Sequence, residues 1–407
     1  MAISKIRAAW WIDMLEIDLL ELLEKFVTAK PEFIAKRCLL PRAPGSNCEL
    51  CFTNCPVDAI IRSYILSIDE DKCIGCGVCW QVCPTEAWTF PYDPEKTLSQ
   101  TISSLKVSSI ELICPRREEQ EGLLSPATVV VNVKKCLAAL SLPLLLEAVA
   151  AGAQKVWLND EACEDCPLGS LHKLIEAQAR KANVILQAFG RDNAFFLRLS
   201  VSKEEEPELH EVPIYPGDKP FFTRRDAFSF LRKEAYEMAE EALRKGLQSL
   251  FGPMAGDAPV KHLPQQHRRL IRTLLRLGEP ADLEVPAADV PFGLVEISDD
   301  CTACGACARA CPTGALIFES DGKAFRLDFV PLACIGCGIC SLMCPTEALR
   351  LRETFSFADL FKSVRITVQQ GILSTCEKCG TRFKSAGSET LCRLCRQSRE
   401  PGRNLAG

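Results

Sequence analysis

The run Cys301-Thr-Ala-Cys304-Gly-Ala-Cys307-Ala-Arg-Ala-Cys311-Pro312 restricts what this chain can fold into more than any other stretch of it. It recurs at Cys334-Ile-Gly-Cys337-Gly-Ile-Cys340-Ser-Leu-Met-Cys344-Pro345. Three thiolates two residues apart wrap a tight loop round one 4Fe–4S cubane, and the loop's amides can hydrogen-bond the sulfurs. The following turn carries the fourth cysteine away to the other cluster. The spacing therefore assigns Cys301, Cys304, Cys307 and Cys344 to one cubane, and Cys334, Cys337, Cys340 and Cys311 to its partner. A zinc site is the competing explanation, but zinc knots use pairs of pairs rather than triplets ending in Cys-Pro.

The N-terminal half carries a second copy with one departure. Cys73-Ile-Gly-Cys76-Gly-Val-Cys79-Trp-Gln-Val-Cys83-Pro84 is complete, whereas its mate reads Cys48-Glu-Leu-Cys51-Phe-Thr-Asn-Cys55-Pro56. Gly45 stands where the first cysteine of that mate is expected. Either this cluster is a 3Fe–4S centre or takes a non-cysteine ligand, or Cys38 swings in across residues 39–47. The second reading is favoured, because that loop has the prolines and glycine needed to fold back. It gives Cys38, Cys48, Cys51 and Cys83 for one cluster, and Cys73, Cys76, Cys79 and Cys55 for the other.

The 24 cysteines face only four histidines in 407 residues. Disulfide scaffolds are small secreted domains with scattered cysteines, unlike these clustered ones. Ala8–Val27 is interrupted by Asp13, Glu16, Asp18, Glu21 and Glu24, which does not suit a secretory signal. Leu137–Ala151, the next most apolar stretch, contains Pro143 and Glu147 and is too short to span a bilayer. A reducing cytoplasm is the expected location. A net charge of −5 supplies no global basic field for nucleic acid.

Eight cysteines remain. Cys376-Glu-Lys-Cys379 and Cys392-Arg-Leu-Cys395 are two knuckles with zinc-ribbon arithmetic, set among Lys378, Arg382, Lys384, Arg393 and Arg396. A rubredoxin-type iron is geometrically equivalent. The last four are Cys114, Cys136, Cys163 and Cys166, in a stretch that alternates like an α/β unit. Strands at Ser109–Ile113, Thr128–Val133 and Ala153–Leu158 should each deliver a cysteine to one edge of a parallel sheet, where α/β folds place their sites. Four cysteines gathered there point to a fifth Fe–S cluster. The plainer alternative makes Cys114 and Cys136 small buried hydrophobes.

Residues 36–90 and 294–352 resemble bacterial dicluster ferredoxins. Val131–Gly169 resembles more weakly the delta subunit of methyl-viologen-reducing hydrogenase. That family has a cysteine after a strand, a helix ending in Gly-Ala, a strand and a paired-cysteine turn, and passes electrons through an Fe–S centre. Here Cys136, Gly152-Ala153, Cys163 and Cys166 fit that outline, although the second pair is tight and a Cys-His sequence is lacking. The arrangement is similar to the multi-cluster subunits that accompany hydrogenases, formate dehydrogenases, heterodisulfide reductases and tungsten enzymes in anaerobes. The resemblance implies such catalytic subunits, or a soluble ferredoxin, as partners.

The expected fold class is α+β and multidomain. Residues 1–35 form an amphipathic helix with Trp11, Leu15, Leu19, Leu22, Leu23 and Phe26 on one face. Residues 36–100 form the first dicluster module and 101–202 a central α/β domain. Residues 203–290 comprise a polar linker and helices at Thr223–Lys245 and Gln265–Leu277; residues 291–355 form the second module and 356–407 a zinc ribbon. No G-x-G-x-x-G or Walker sequence marks a nucleotide site. The expected role is a non-catalytic relay of single low-potential electrons. The alternative is a reductase acting on a thiol or disulfide at the middle four cysteines.

Overall fold

A computed structural model describes residues 30–42, 45–63, 65–118, 123–191, 193–200, 208–218, 261–385 and 389–397. The helix expected at Thr223–Lys245 and most of that expected over residues 1–35 lie outside the described residues; the described end of the latter is no α-helix but a short strand at Glu32–Phe33, which corrects that boundary. The chain divides into two compact units. The first draws on Met1–Arg37, Glu49–Glu176 and Phe196–Phe221, the second on Cys38–Cys48, Ala177–Phe195 and Phe222–Gly407.

The core of the first unit is a five-stranded sheet of β1 (Ser109–Ile113), β2 (Val129–Asn132), β3 (Lys155–Asn159), β4 (Phe195–Leu197) and β5 (Ile214–Pro216), in the order β4-β3-β1-β2-β5. β1 pairs in parallel with both β2 and β3, and β2 with β5. Val129, Val130, Val131 and Asn132 are all buried, the continuous pattern of a strand covered on both faces. β5 falls in the part of residues 203–290 expected to be plain polar linker and corrects that reading. Prolines 213 and 216 disguise it, and an edge position is where a strand tolerates them.

Helices α1 (Lys96–Leu105) and α2 (Leu142–Ala150) pack together. The Ser141 hydroxyl caps α2 by accepting from the Leu144 amide at 3.4 Å. The fully buried Glu95 carboxylate in turn accepts from the Ser141 amide at 2.7 Å and its hydroxyl at 2.5 Å. An anion at a helix N-terminus meets the positive end of the helix dipole.

A second buried network ties β1 to the turn after β3. Arg198 donates to Glu111 at 3.3 Å and to Glu161 at 2.9 Å, and Arg117 donates to Glu161 at 3.0 Å. Burial pushes the Glu111 carboxyl above its ordinary range, opposed by Ser125, Arg198 and Asn159. Arg198→Ala leaves a fully buried carboxylate without its cation and should destabilise this unit by about 3 kcal/mol at neutral pH. Anaerobic urea titration measures this loss, which shrinks in acid as Glu111 takes up a proton.

The second unit contains an antiparallel sheet of β6 (Leu316–Ser320), β7 (Ala324–Phe329), β8 (Ile366–Thr375) and β9 (Arg382–Ser385), ordered β6-β7-β8-β9. This sheet runs across the boundary expected at residue 356, so the C-terminal cysteines hang from strands continuous with the second cysteine-rich module. Buried Asp328 holds the sheet's bulge by accepting from Arg365 at 2.6 Å and Thr367 at 2.8 Å.

Helix α3 (Gln265–Leu277) buries Leu270, Leu274 and Leu277. Its His267 meets the Phe292 ring at a tilt, centroids 4.8 Å apart, and donates from Nε2 to the Leu332 carbonyl at 2.9 Å, which fixes a neutral tautomer. Burial pulls this imidazole down to about 4, with the Leu332 bond opposing. The folded value lies below the unfolded one, so the contribution is complete above about pH 6.5 and fades as pH falls toward 4. His267→Gln should remove an acid sensitivity on the order of 3 kcal/mol, read from melts at pH 7 and pH 4.5.

Candidate iron–sulfur and metal centres

Each cysteine-rich module is a repeated unit of Cys loop, short helix and Cys-Pro turn. The helices Val78–Val82, Ala306–Ala310 and Ile339–Leu342 start behind left-handed Gly77, Gly305 and Gly338, at φ of 80°, 66° and 71°. The third cysteine of each triplet sits on the helix, and the helix stops at or just before the fourth. A second left-handed residue precedes the middle cysteine: Gly75, Gly336 and, without glycine's freedom, Ala303 at φ 59°. Ala303→Gly should stabilise its loop by about 1 kcal/mol, since the left-handed region is costly for a residue with a Cβ. Gly336→Ala should do the reverse, because its Cβ would lie 2.7 Å from the Phe292 carbonyl oxygen. Thermal melts of the two loaded variants check both signs.

The Cys-Pro turns repeat four times. Asp58, Glu86, Gly314 and Glu347, each three residues after the fourth cysteine, are left-handed at φ of 49°, 48°, 75° and 53°. That twist turns the next amide back onto the sulfur. Ala59 donates to Cys55 Sγ at 3.3 Å and Ala87 to Cys83 Sγ at 3.2 Å. The Thr313 and Thr346 hydroxyls approach Cys311 and Cys344 Sγ at 3.6 and 3.8 Å. Burial raises the Cys344 thiol, but amides of Thr346, Leu349 and Ala348 outweigh it and leave it below its ordinary value. Aligning the four Cys-Pro segments would have exposed the shared alanine; its purpose needs the backbone geometry.

Three cavities lie inside these loops. Cys301, Cys304, Cys307 and Cys344 line one. Cys334, Cys337, Cys340 and Cys311 line a second, and Cys73, Cys76, Cys79 and Cys55 a third. In each, three cysteines of one triplet meet the Cys-Pro cysteine of the other repeat. The remaining expected set is divided between the units: Cys38 and Cys48 belong to the second, Cys51 and Cys83 to the first. Glu49, before the helix Leu50–Thr53, has φ −121°, so this loop lacks the left-handed cap of the other three. Within the second unit, Leu39 and Cys48 pack against Ala310 and Ile339, beside Cys337 and Met343.

Seven of the thiols inside these loops are weakened as acids by burial. Burial pushes Cys307 and Cys334 up to about 12 and Cys337 to about 11, and it raises Cys76, Cys79, Cys301 and Cys340 as well. Four such sulfurs round one cavity become stable thiolates when a cationic metal core lies between them.

The expected middle set also comes together. Cys114 follows β1, Cys136 follows β2 and Cys163 follows β3, with Cys166 one turn on, all at the carboxyl edge of the parallel sheet. Cys136 feels Cys114 and Cys166, and Cys163 feels Cys136, Cys114 and Cys166. Burial leads in raising them, Cys136 to about 11 and Cys163 to about 12. The Leu168 amide donates to Cys166 Sγ at 3.4 Å, and Gly169 is required because a Cβ there would lie 2.8 Å from the Cys163 carbonyl oxygen. Sequence reasoning missed the neighbouring pair of buried Asp160 and half-buried His172, 2.7 Å apart. No local pattern announces it.

At the C-terminus, the sulfurs of Cys376, Cys379, Cys392 and Cys395 all lie within 4.8 Å of one another, a spacing compatible with four sulfurs round one metal ion. The Cys392 amide leads in pulling Cys376 down to about 6, with amides of Cys379 and Lys378 assisting against burial. Lys384 pairs with Asp299 at 3.3 Å and Arg393 with Asp300 at 3.1 Å, tying this site to the residues just before Cys301.

Comparison with known families agrees with the loops. A 4Fe-4S binding domain model matches residues 66–89, and a 4Fe-4S dicluster domain model matches residues 300–348. Both stretches are 4Fe–4S ferredoxin domains. A ferredoxin from Mycolicibacterium smegmatis is 47% identical over 38 residues, which is 9% of this chain. The match spans 36% of that ferredoxin's length. The chemistry of ferredoxin domains is one-electron transfer, with potentials set by burial, hydrogen bonds to sulfur and nearby charge. Among the described residues, no helix is long and apolar enough to cross a membrane.

Lys384 is such a nearby charge. It pulls against the burial that raises Cys301. Lys384→Glu should therefore lower the potential of the Cys301 cubane by tens of millivolts, read in an EPR-monitored redox titration.

Proposed function

We propose that this chain is the electron-wiring subunit of a larger oxidoreductase complex, carrying single low-potential electrons between a catalytic subunit and a carrier or second enzyme. The observation that carries the reading is the Cys loop and Cys-Pro turn repeated through two modules, with three cavities each ringed by four cysteines. Four 4Fe–4S clusters are assigned, the first completed by Cys38, with a fifth Fe–S centre at Cys114, Cys136, Cys163 and Cys166. Zinc is assigned to the C-terminal set, where it holds the knuckles and leaves the redox work to the cubanes.

Partners of the hydrogenase, formate dehydrogenase, heterodisulfide reductase or tungsten-enzyme kind fit a chain with so many one-electron centres, as does a soluble ferredoxin in a reducing, anaerobic cytoplasm. The thiol–disulfide reductase reading is less favoured. Cys136 and Cys163 are pushed far above neutrality, whereas an attacking thiol must be substantially ionised. The test is anaerobic turnover of the isolated chain. Reversible reduction by a viologen dye without consumption of a disulfide supports the relay; disulfide reduction by the chain alone overturns it.

A further inference from the structure

The ferredoxin loop around Cys76 and the middle cysteine site are built against one another. The helix Val78–Val82, which carries Cys79, packs on the turn Leu137–Ala139 that follows Cys136. The contact is close enough that a Cβ added to Gly77 would already be in van der Waals contact across it. A Cβ there would sit 3.9 Å from the Ala139 Cβ and 3.8 Å from the Phe90 ring, and Ala139 is itself buried. Cys76 immediately precedes Gly77, and Cys136 immediately precedes the turn, so each loop presents a ligand cysteine at the junction. The Cys76 thiol is among the charges that Cys136 feels.

The junction is also braced. Lys135, next to Cys136, donates to the Pro94 carbonyl at 3.2 Å. Glu95 is fully buried on Ser141, and Ser99 donates to Glu147 at 2.6 Å. Trp80 and Phe90 meet edge-on at 6.4 Å behind it. Buried polar anchors of this kind fix a relative position that hydrophobic packing alone leaves free to slide.

We propose that the middle centre is the direct redox partner of the cubane held by Cys55, Cys73, Cys76 and Cys79, with the electron crossing at the Gly77–Ala139 contact between the Cys76 and Cys136 loops. Electron tunnelling falls off exponentially with separation, so adjacent ligand loops give the middle centre a short step into the ferredoxin module. One electron leaves one cluster and enters the other, with no bond made or broken. The inference rests on the relay reading, since it requires a metal centre at the middle cysteines.

The test uses the full chain, reconstituted anaerobically, with Cys163→Ser and Cys73→Ser each removing one of the two centres by a ligand away from the contact. In the reduced wild type, the two centres should split or broaden each other's EPR signals and relax rapidly. Cys163→Ser should lose up to about four irons and sharpen the Cys73 cubane's signal, with its half-saturation power falling severalfold. Cys73→Ser should do the same reciprocally for the middle centre. Should Cys163→Ser fail to fold, Cys166→Ser serves in its place. Iron loss with unchanged relaxation in both variants would overturn the contact while leaving the relay intact. No iron loss in either middle-site variant would remove the middle centre itself, and the contact with it.

Discussion

Replacing Cys311 by alanine should release the cubane of Cys334, Cys337 and Cys340 while leaving that of Cys301, Cys304 and Cys307 in place. Cys311 stands four residues from Cys307, yet it lines the distant triplet's cavity. Cys344 lines the cavity of the first triplet in the same crossed fashion. The single variant should lose up to about four irons. Combining Cys311→Ala with Cys334→Ala should lose no more, whereas combining it with Cys301→Ala should lose about as many again, because independent sites add and shared ones do not. The opposite pattern, in which Cys311 and Cys301 are non-additive, would refute crossed ligation.

Loss of the C-terminal metal should be nearly as severe, but local. Cys376, Cys392 and Cys395 are the main buried packing of their segment with Phe383, joined by half-buried Leu391, while Cys379 is exposed. So small a core has little to hold it together besides the ion, and structural zinc in comparable knuckles contributes on the order of 10 kcal/mol. Cys392→Ser, or a strong thiophilic chelator, should therefore unfold residues 376–397. Hydrogen exchange should report loss of protection there while β6 and β7 stay protected. Release of one zinc per chain should accompany the change, and release of an iron with its visible absorbance would identify a rubredoxin-type centre instead. Because Lys384 and Arg393 brace Asp299 and Asp300, the potential of the Cys301 cubane should shift with ribbon unfolding.

The ligand loops were legible because their information is local: cysteines two residues apart and proline after the fourth cysteine. The strands Ser109–Ile113, Val129–Asn132 and Lys155–Asn159 were legible for the same reason, as short apolar runs that lead to a cysteine. Edge strand Ile214–Pro216 was not, since prolines mimic a linker and its partner Val130–Asn132 lies more than eighty residues away. The Arg198–Glu111 pair and the Glu95–Ser141 anchor escape for a related reason. Charged residues far apart in sequence look like surface until the fold buries them together. The continuity of β8 and β9 with the second ferredoxin hairpin was hidden because a ribbon motif looks self-sufficient, and only strand pairing shows that Ile372 and Ala324 share a register. The Cys38–Cys48 segment was read from loop chemistry alone, which says that it can fold back but not what Leu39 packs on.

Anaerobic iron, sulfide and zinc analysis, coupled to EPR of the dithionite-reduced chain, tests the central claim most directly. The relay predicts about sixteen to twenty irons with matching sulfide, about one zinc, and interacting S = 1/2 signals. Sixteen would leave the middle cysteines without a cubane, and twenty would place one there. A chain that binds little iron and many zincs, with no signal on reduction, would contradict the account.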